Sequence, residues 1–564
     1  MGIFNFFPSR QQWRYLPKYL SKREKGVMMV GLIFGVIGII LIGINWGNKH
    51  LVRIPTSGGK YIEGVNNYPR LINPLYAPAN PTDADLVALI YSGLMKFDPK
   101  LGLATDLVES FSLSKEETTY TFTLKPDLHW SDGEPLTTKD VVFTLQAIQN
   151  PEYLSVLNQR LSRVSIERID DLNFTLTIPE PYAPLIAELT FGILPAHLWE
   201  DLPPSSAQIS ELNLKPIGSG PYKFLAITKD NKGFIKSYRL RANLEYYGTS
   251  PLLEEVEFKF FPSPIELREA ILNKTINGTG YLDQEGVAWL QNQGFKGLNN
   301  WSTNQFLGLF FNLKKTGSPW LSLNMRNALG VVVDRSALNQ AIYQGRGVMI
   351  SSAHLLQQSG TAVIGPNEWA QAKANLETEG WSLAEGEVIR KKAGVELALT
   401  ITTIDLSAEH QASLLLCEQF KLLGVKCEVN KVPRNALSSL LKSRDYEGLL
   451  VGEKYGAVMD PYLFWHSSAI DNNGYNLSQL VDPTVDKLVN LIRTSGDGGA
   501  RAQAWEELSA QLLSLNPAIF LLQTPFTYVM SPKVEGVEVG LINNLFDRFQ
   551  GIEQWYNSKR WSIK

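Results

Sequence analysis

The sequence predicts an α/β protein of more than one domain, preceded by one N-terminal transmembrane helix. Three observations carry this. Residues 26–48, GVMMVGLIFGVIGIILIGINWGN, hold no charged side chain, and about 20 apolar residues suffice to span a bilayer. Runs of period-two alternation rich in β-branched and aromatic residues recur downstream, as in TTYTFTL (118–124) and FTLTI (174–178), the signature of half-buried strands. Residues 395–432 read strand (VELALTITTI), amphipathic helix (AEHQASLLLCEQFKLLG) and strand (VKCEVNKV), the order of a parallel crossover. The chain has 564 residues, well above the roughly 250–300 at which one core splits, so two or three domains are expected.

The apolar run comes first. Arg10, Arg14, Lys18, Lys22, Arg23 and Lys25 precede it, opposed there by Glu24 alone. Cations resist translocation, so residues 1–25 are expected in the cytoplasm, 26–48 in the membrane, and everything beyond outside. A cleaved signal peptide is the rival reading. The run is long for that, no A-x-A cleavage site follows it, and no Cys near it could take a lipid. Residues 49–58, with Pro55 and Gly58, read as a linker.

Further elements follow in order. Residues 84–95, ADLVALIYSGLM, have helical apolar spacing. Thr137 offers an N-cap, with Asp140 three residues on, ahead of VVFTLQAI. Residues 234–243 and 255–261 are strand-like. SLNMRNALGVVVDRSALNQAIY (322–343) reads as two helices broken near Asp334. RAQAWEELSAQLLSLN (501–516) is helical, and AIFLLQTPFTYVM (518–530) is a strand. Cys417 and Cys427 are the two cysteines; two buried thiols are expected, although an oxidising location would permit a bond.

The net charge of −3 excludes the concentrated positive field of a nucleic-acid binder. PIGSGPYKF (216–224) is glycine-rich but lacks G-x-x-x-x-G-K-[ST], opens no helix, and loses a donor at Pro221, so it does not cradle phosphate. It reads as a sharp turn feeding a strand. The six histidines are scattered, without H-E-x-x-H or a Cys cluster, and no G-x-S-x-G elbow occurs, so neither metal, cofactor nor catalytic chemistry is expected. EKYGAVMDPYLFWHSS (453–468), followed by NNGYNLSQLVDPTVDKLVNLI (472–492), is different. It is a loop dense in aromatic and polar groups, the composition of a binding loop on a scaffold.

These segments, taken in order, resemble the extracellular solute-binding proteins of family 5, the dipeptide- and oligopeptide-binding receptors of ABC importers. The resemblance runs over most of residues 65–540. It rests on Tyr91-Ser92-Gly93-Leu94, on Asp106 to Phe111, and on W-x-D-G-x-P-x-T-x-x-D-V from Trp130 to Val141. GSGPY (218–222), YYG (246–248) and the helical segment after Asn312 complete it. It implies a two-lobed periplasmic-binding-protein-like clamp of the large type. Lobe I would be residues 55–90, 180–303 and 524–564, with a subdomain, 91–179, inserted in it. Lobe II would be 304–523, and the chain would cross near Phe306–Asn312 and Leu521–Thr524. Ligand would be buried between closing lobes, peptides being held largely through their backbone.

By the same resemblance, the binding site would use Glu453, Tyr455, Gly456, Asp460, Trp465, Asn473 and Tyr475. Peptide-binding members commonly place an Asp three residues before the Asp-Pro dipeptide, where it pairs with the ligand's α-ammonium. Here that position is Ala457. Either Glu453 substitutes or the ligand is not a free-amino peptide, since an unpaired buried cation is costly. The implied function is a non-enzymatic, monomeric, membrane-anchored receptor that passes a peptide or similar solute to an ABC permease. A sensory or scaffold protein that kept the clamp is the alternative, as is a receptor for a non-peptide solute such as an oligosaccharide.

Overall fold

The computed structural model describes residues 20–355, 365–456, 458–471 and 474–563. A helix, Lys22–His50, passes directly into a strand, Leu51–Pro55. That strand does not behave as a linker: it pairs antiparallel with the C-terminal strand Lys559–Ile563, from Leu51↔Ile563 to Pro55↔Lys559. LVRIP has the β-branched residues of a strand, and the chain end supplies its partner.

The main body is an 11-stranded mixed sheet. Ten strands follow one path: Lys426–Val432, Ala398–Ile404, Gly448–Lys454, Leu298–Phe311, Ala518–Met530, Gly278–Thr279, Lys60–Val65, Glu255–Phe260, Ile235–Ala242 and Tyr222–Lys229. Val348–Met349 pairs with Ala518–Met530 off that path. A separate four-stranded antiparallel sheet contains Thr119–Leu124 and Asn173–Thr177. Its alternation is real: Tyr120, Phe122 and Leu124 are buried while the threonines between them are not. The crossover is also as read. Ala398–Ile404 and Lys426–Val432 are parallel neighbours, joined by the helix Ser407–Lys421. Gly424, at φ +81, makes the left-handed turn between helix and strand that a Cβ would oppose.

Local signals decide the helix ends. Thr137 and Asp140 form a full capping box on Thr138–Gln149, worth about 1 kcal/mol. Asp334 accepts from the Ala337 N–H and starts Arg335–Tyr343 just after Leu323–Val331 ends. The first clamp helix is shorter than its pattern. It covers Pro81–Ile90, not 84–95, because Gly93 lies where a Cβ would come within 2.9 Å of the Phe191 carbonyl. The chain there must be extended to pack that closely.

The same close approach explains PIGSGPYKF. A Cβ on Gly218 would lie 2.0 Å from the Ile90 carbonyl oxygen, and the Gly220 N–H donates to that oxygen at 2.8 Å. Ser219 is fully buried, and the strand Tyr222–Lys229 begins at once. The glycines let two backbone segments touch.

The cores divide along the sheet. One large core joins residues from Tyr61 to Phe260 with Tyr528, Phe549 and Trp555. Two others flank the sheet where it is built from residues 306–522. Leu307, Leu309 and Phe311 face one, and Phe306 and Phe310 face the other. Strands covered on both faces read as continuous apolar runs, as these do.

Cys417 and Cys427 are bonded rather than free, with Cα atoms 5.0 Å apart. The crossover lays the helix against the strand that follows, which brings two cysteines 10 residues apart into register. Closing so short a loop is worth about 2–3 kcal/mol. Cys417→Ala with Cys427→Ala is expected to lower unfolding stability by that amount in denaturant titration. Without reductant, the unfolded wild-type chain should take up no maleimide; two equivalents of uptake would mean free thiols.

Candidate functional site

Two long strands, Leu298–Phe311 and Ala518–Met530, join the large core to the two that flank residues 306–522. Their ladder runs regularly from Leu298↔Val529 to Ser302↔Pro525, then resumes at Phe306↔Gln523. Three residues therefore oppose one at the junction. Pro525 has no N–H to give, and side chains take over: Thr303 Oγ1 donates to the Thr524 carbonyl at 2.7 Å, and Gln523 donates to the Thr303 carbonyl. Trp301 and Phe526 pack on the large core, whereas Phe306 and Phe520 belong to another. The irregularity at Ser302–Phe306 is thus where the chain changes cores. It lies just before the Phe306–Asn312 stretch implied by the resemblance, whose residues are interior to the second body.

The aromatic loop starts at this junction. Asn304 donates from Nδ2 to the carbonyls of Tyr455 and of Gly456, and its own carbonyl accepts from the Tyr455 N–H at 3.0 Å. Beyond it, the Asp460 carboxylate accepts from the Tyr462 N–H at 3.0 Å, opening the turn Tyr462–Trp465. Fully buried Asn476 closes the far side. It donates to the carbonyls of Leu480 and His466 and accepts from the Leu480 N–H.

The structure separates the residues that the sequence grouped. Tyr455 and Trp465 are fully buried in the core behind the loop, where Trp465 Nε1 donates to the Tyr455 hydroxyl at 3.3 Å. They support the loop. Gly456 is exposed, and Tyr475 is 46% exposed with its ring stacked on Phe464. Asn473 and Ala457 lie outside the described residues.

Glu453 faces inward. Leu449, Val451, Glu453 and Tyr455 alternate onto one face of the strand, against the core. Both Glu453 carboxyl oxygens are buried without a hydrogen-bond partner. Burial holds its pKa well above the ordinary value, with Arg444 pulling weakly the other way. Burial without a partner disfavours the charged form of such a carboxyl.

Asp460 faces the opposite body. Its carboxylate lies 3.8 Å from Arg493. The Arg493 guanidinium sits 4.2 Å from the Tyr462 ring centroid and 5.2 Å from that of Tyr182, which belongs to the other side. The Arg493 carbonyl accepts from the Ala183 N–H at 2.9 Å, and the Gly496 N–H donates to Glu117 at 2.9 Å. Arg493 therefore clasps one body to the other, by a cation between two rings and by backbone contact. Burial raises the Asp460 pKa, opposed by Arg493. Burial and the Asp460 charge push the Tyr182 hydroxyl to about 12. Sequence reading missed Arg493, Tyr182 and Asn304. Each is an isolated residue whose partners are remote in the chain, so no local pattern could reveal it. Two surface hollows, one lined by Phe224 and Ile227 and one by Trp381 and Met325, lie away from this junction.

Glu453→Gln tests the neutral carboxyl. A raised folded pKa means the native state keeps a proton that the unfolded chain loses near its ordinary value. That contribution to stability is whole at low pH and fades as pH rises toward the folded pKa. The variant should therefore gain on wild type by up to about 1.4 kcal/mol per pH unit above about 4.5, in paired denaturant titrations. A constant difference between pH 5 and 8 would show that Glu453 is ionised and partnered.

The profile of the bacterial extracellular solute-binding proteins, family 5 (middle), matches residues 102–476. The oligopeptide-binding protein AppA of Bacillus subtilis is 24% identical over 556 residues, which cover 95% of this chain and 100% of that one. Among solved structures, the substrate-binding protein CtaP of Listeria monocytogenes has TM-score 0.70 at 22% identity, covering 89% of this chain and 100% of its own. NikZ of Campylobacter jejuni, in complex with Ni(L-His), has TM-score 0.63 at 22% identity, covering 88% and 99%. The fold, with two bodies joined by paired strands and an aromatic loop at the junction, and the profile over residues 102–476 agree: this chain belongs to the extracellular solute-binding proteins of family 5.

Proposed function

We propose that the chain is a membrane-anchored receptor that captures a peptide or similar solute between two lobes and delivers it to an ABC permease, without catalysis. The helix Lys22–His50 is the anchor, with residues 1–25 cytoplasmic and the clamp outside. Lobe I comprises 55–90, 180–303 and 524–564, with 91–179 as its inserted subdomain, and lobe II comprises 304–523. One observation supports this best: the chain changes cores at Ser302–Phe306 and again beside Pro525, and the loop from Tyr455 starts there. That junction is the hinge, and the loop forms the lobe II wall of the cleft.

The ligand follows from the acids near that wall. Glu453 is turned into the core and Asp460 is engaged by Arg493, so neither is a ready counter-charge for an α-ammonium. Lys454, at the exposed end of the same strand, adds a cation instead. The reading is a solute without a free amino terminus, a blocked or anionic peptide before an unmodified one. An oligosaccharide is the second choice, supported by exposed Tyr475 stacked on Phe464.

Calorimetric titration of the full chain in detergent with di- to pentapeptides, free and N-acetylated, tests this. Free peptides should bind weakly or not at all. Ala457→Asp should restore their binding, since a buried counter-charge is worth several kcal/mol. Micromolar affinity of wild type for free peptides, surviving Glu453→Gln, would overturn the proposed selectivity. Orientation is tested separately: protease added to cells with an opened outer layer should degrade the clamp, and full protection would refute the topology.

A further inference from the structure

The ribbon of Leu51–Pro55 and Lys559–Ile563 contributes no described residue to any of the hydrophobic cores. It forms its own two-stranded sheet, and a lone two-stranded ribbon is marginal in water. Its exposed side chains are not typical of a free surface. Trp561 is 61% exposed and Val52 is 37% exposed. The Arg53 guanidinium caps the Trp561 ring at 4.5 Å, as the register Arg53↔Trp561 requires.

Its position is fixed by the helix. Residues 26–48 are uncharged and as a helix extend about 34 Å, slightly more than the roughly 30 Å hydrocarbon layer. Lys49 then falls at headgroup level, and the strand begins two residues later with no intervening loop. The ribbon cannot leave the bilayer surface.

Its charge is of one sign. Lys49, Arg53, Lys559, Arg560 and Lys564 occur where there is no acidic residue between Glu24 and Glu63 or after Glu553. Lys559 is paired with Glu535 at 2.6 Å. Arg53 and Arg560 enter no ion pair among the described residues. Tryptophan and cations at the end of a spanning helix are the groups that settle in an interface.

We propose that this ribbon is a lipid-contact surface, seated on anionic phospholipid headgroups of the leaflet where the helix emerges. It rests on the reading of Lys22–His50 as a spanning anchor. Held there, the ribbon pins the lobe I end of the clamp to the membrane, because the chain passes from Pro55 to the sheet strand Lys60–Val65 in four residues.

The full chain is reconstituted in nanodiscs of phosphatidylcholine alone or mixed with phosphatidylglycerol. Brominated lipid should quench wild-type tryptophan emission more than that of Trp561→Phe, a change at an exposed position that leaves the cores intact. Amide exchange in the ribbon should slow in the anionic discs. Arg53→Gln and Arg560→Gln should each reduce that slowing about fivefold, from about 1 kcal/mol per cation at an anionic surface. A chain embedded in discs whose quenching is unchanged by Trp561→Phe, and whose ribbon exchanges equally in both lipids, overturns the proposal alone. A chain recovered outside the discs removes the anchor reading and the proposal with it.

Discussion

Arg548 is the interaction on which the structure depends. It is wholly buried, with Nε donating to Glu63 at 3.0 Å and both terminal nitrogens to Asp85 at 2.6 and 2.5 Å. Tyr61 and Tyr528 hydroxyls donate to the other Glu63 oxygen, and Tyr281 donates to Asp85. Two carboxylates thus share one guanidinium and three phenols. Burial raises the Glu63 pKa, and Arg548 pulls it back. Burial opposes the charge on Arg548, but Asp85 and Glu63 outweigh it and hold its pKa well above the ordinary value. Such a cluster adds little net stability over an apolar one of the same shape, yet losing one member leaves an uncompensated charge. The cluster ties together the segments near Glu63, Asp85, Tyr281, Tyr528 and Arg548.

That constraint propagates to both ends of the molecule. With Arg548 fixed beside Glu63, the last residues must run back along the first, and Lys559–Ile563 meets Leu51–Pro55 where the N-terminal helix Lys22–His50 ends. With Tyr528 fixed in the same cluster, the strand Ala518–Met530 has its lower half locked into the large core, and only the part above Pro525 can belong to another body. The register shift at Ser302–Phe306 is where the paired strands pass from one core to another. Asn304 then ties the aromatic loop to that point rather than to the periphery of either body.

Much of the fold was legible because its causes are local. Thr137 with Asp140, and Asp334 before Ser336-Ala337, cap helices through contacts within a few residues. Alternation in TTYTFTL marks a buried face without reference to a partner. Causes that span the chain were not legible. Arg548 is one of 53 basic residues, and its partners are 463 and 485 positions away. The Cys417–Cys427 bond needs the crossover geometry before the spacing means anything. The site was read less well than the fold. Aromatic density around Tyr455 and Trp465 suggested a lining, whereas those rings are buried in the core behind the loop. Glu453 carried a readable sign: it follows Leu449 and Val451 and precedes Tyr455 at a period of two, which puts it in the core.

The two acids of the loop show how placement, rather than composition, sets what a cleft can bind. Glu453 and Asp460 lie seven residues apart, and each has its pKa raised by burial. Asp460 meets a cation placed between the Tyr462 and Tyr182 rings, which opposes the effect of burial on its charge. Glu453 meets aromatic side chains. The carboxylate beside Arg493 sits at the contact between the two bodies, and the other has no hydrogen-bond partner. Under the proposed reading, a wall built this way would select against a bare ammonium not by repulsion but by withholding the one group that would compensate its loss of water.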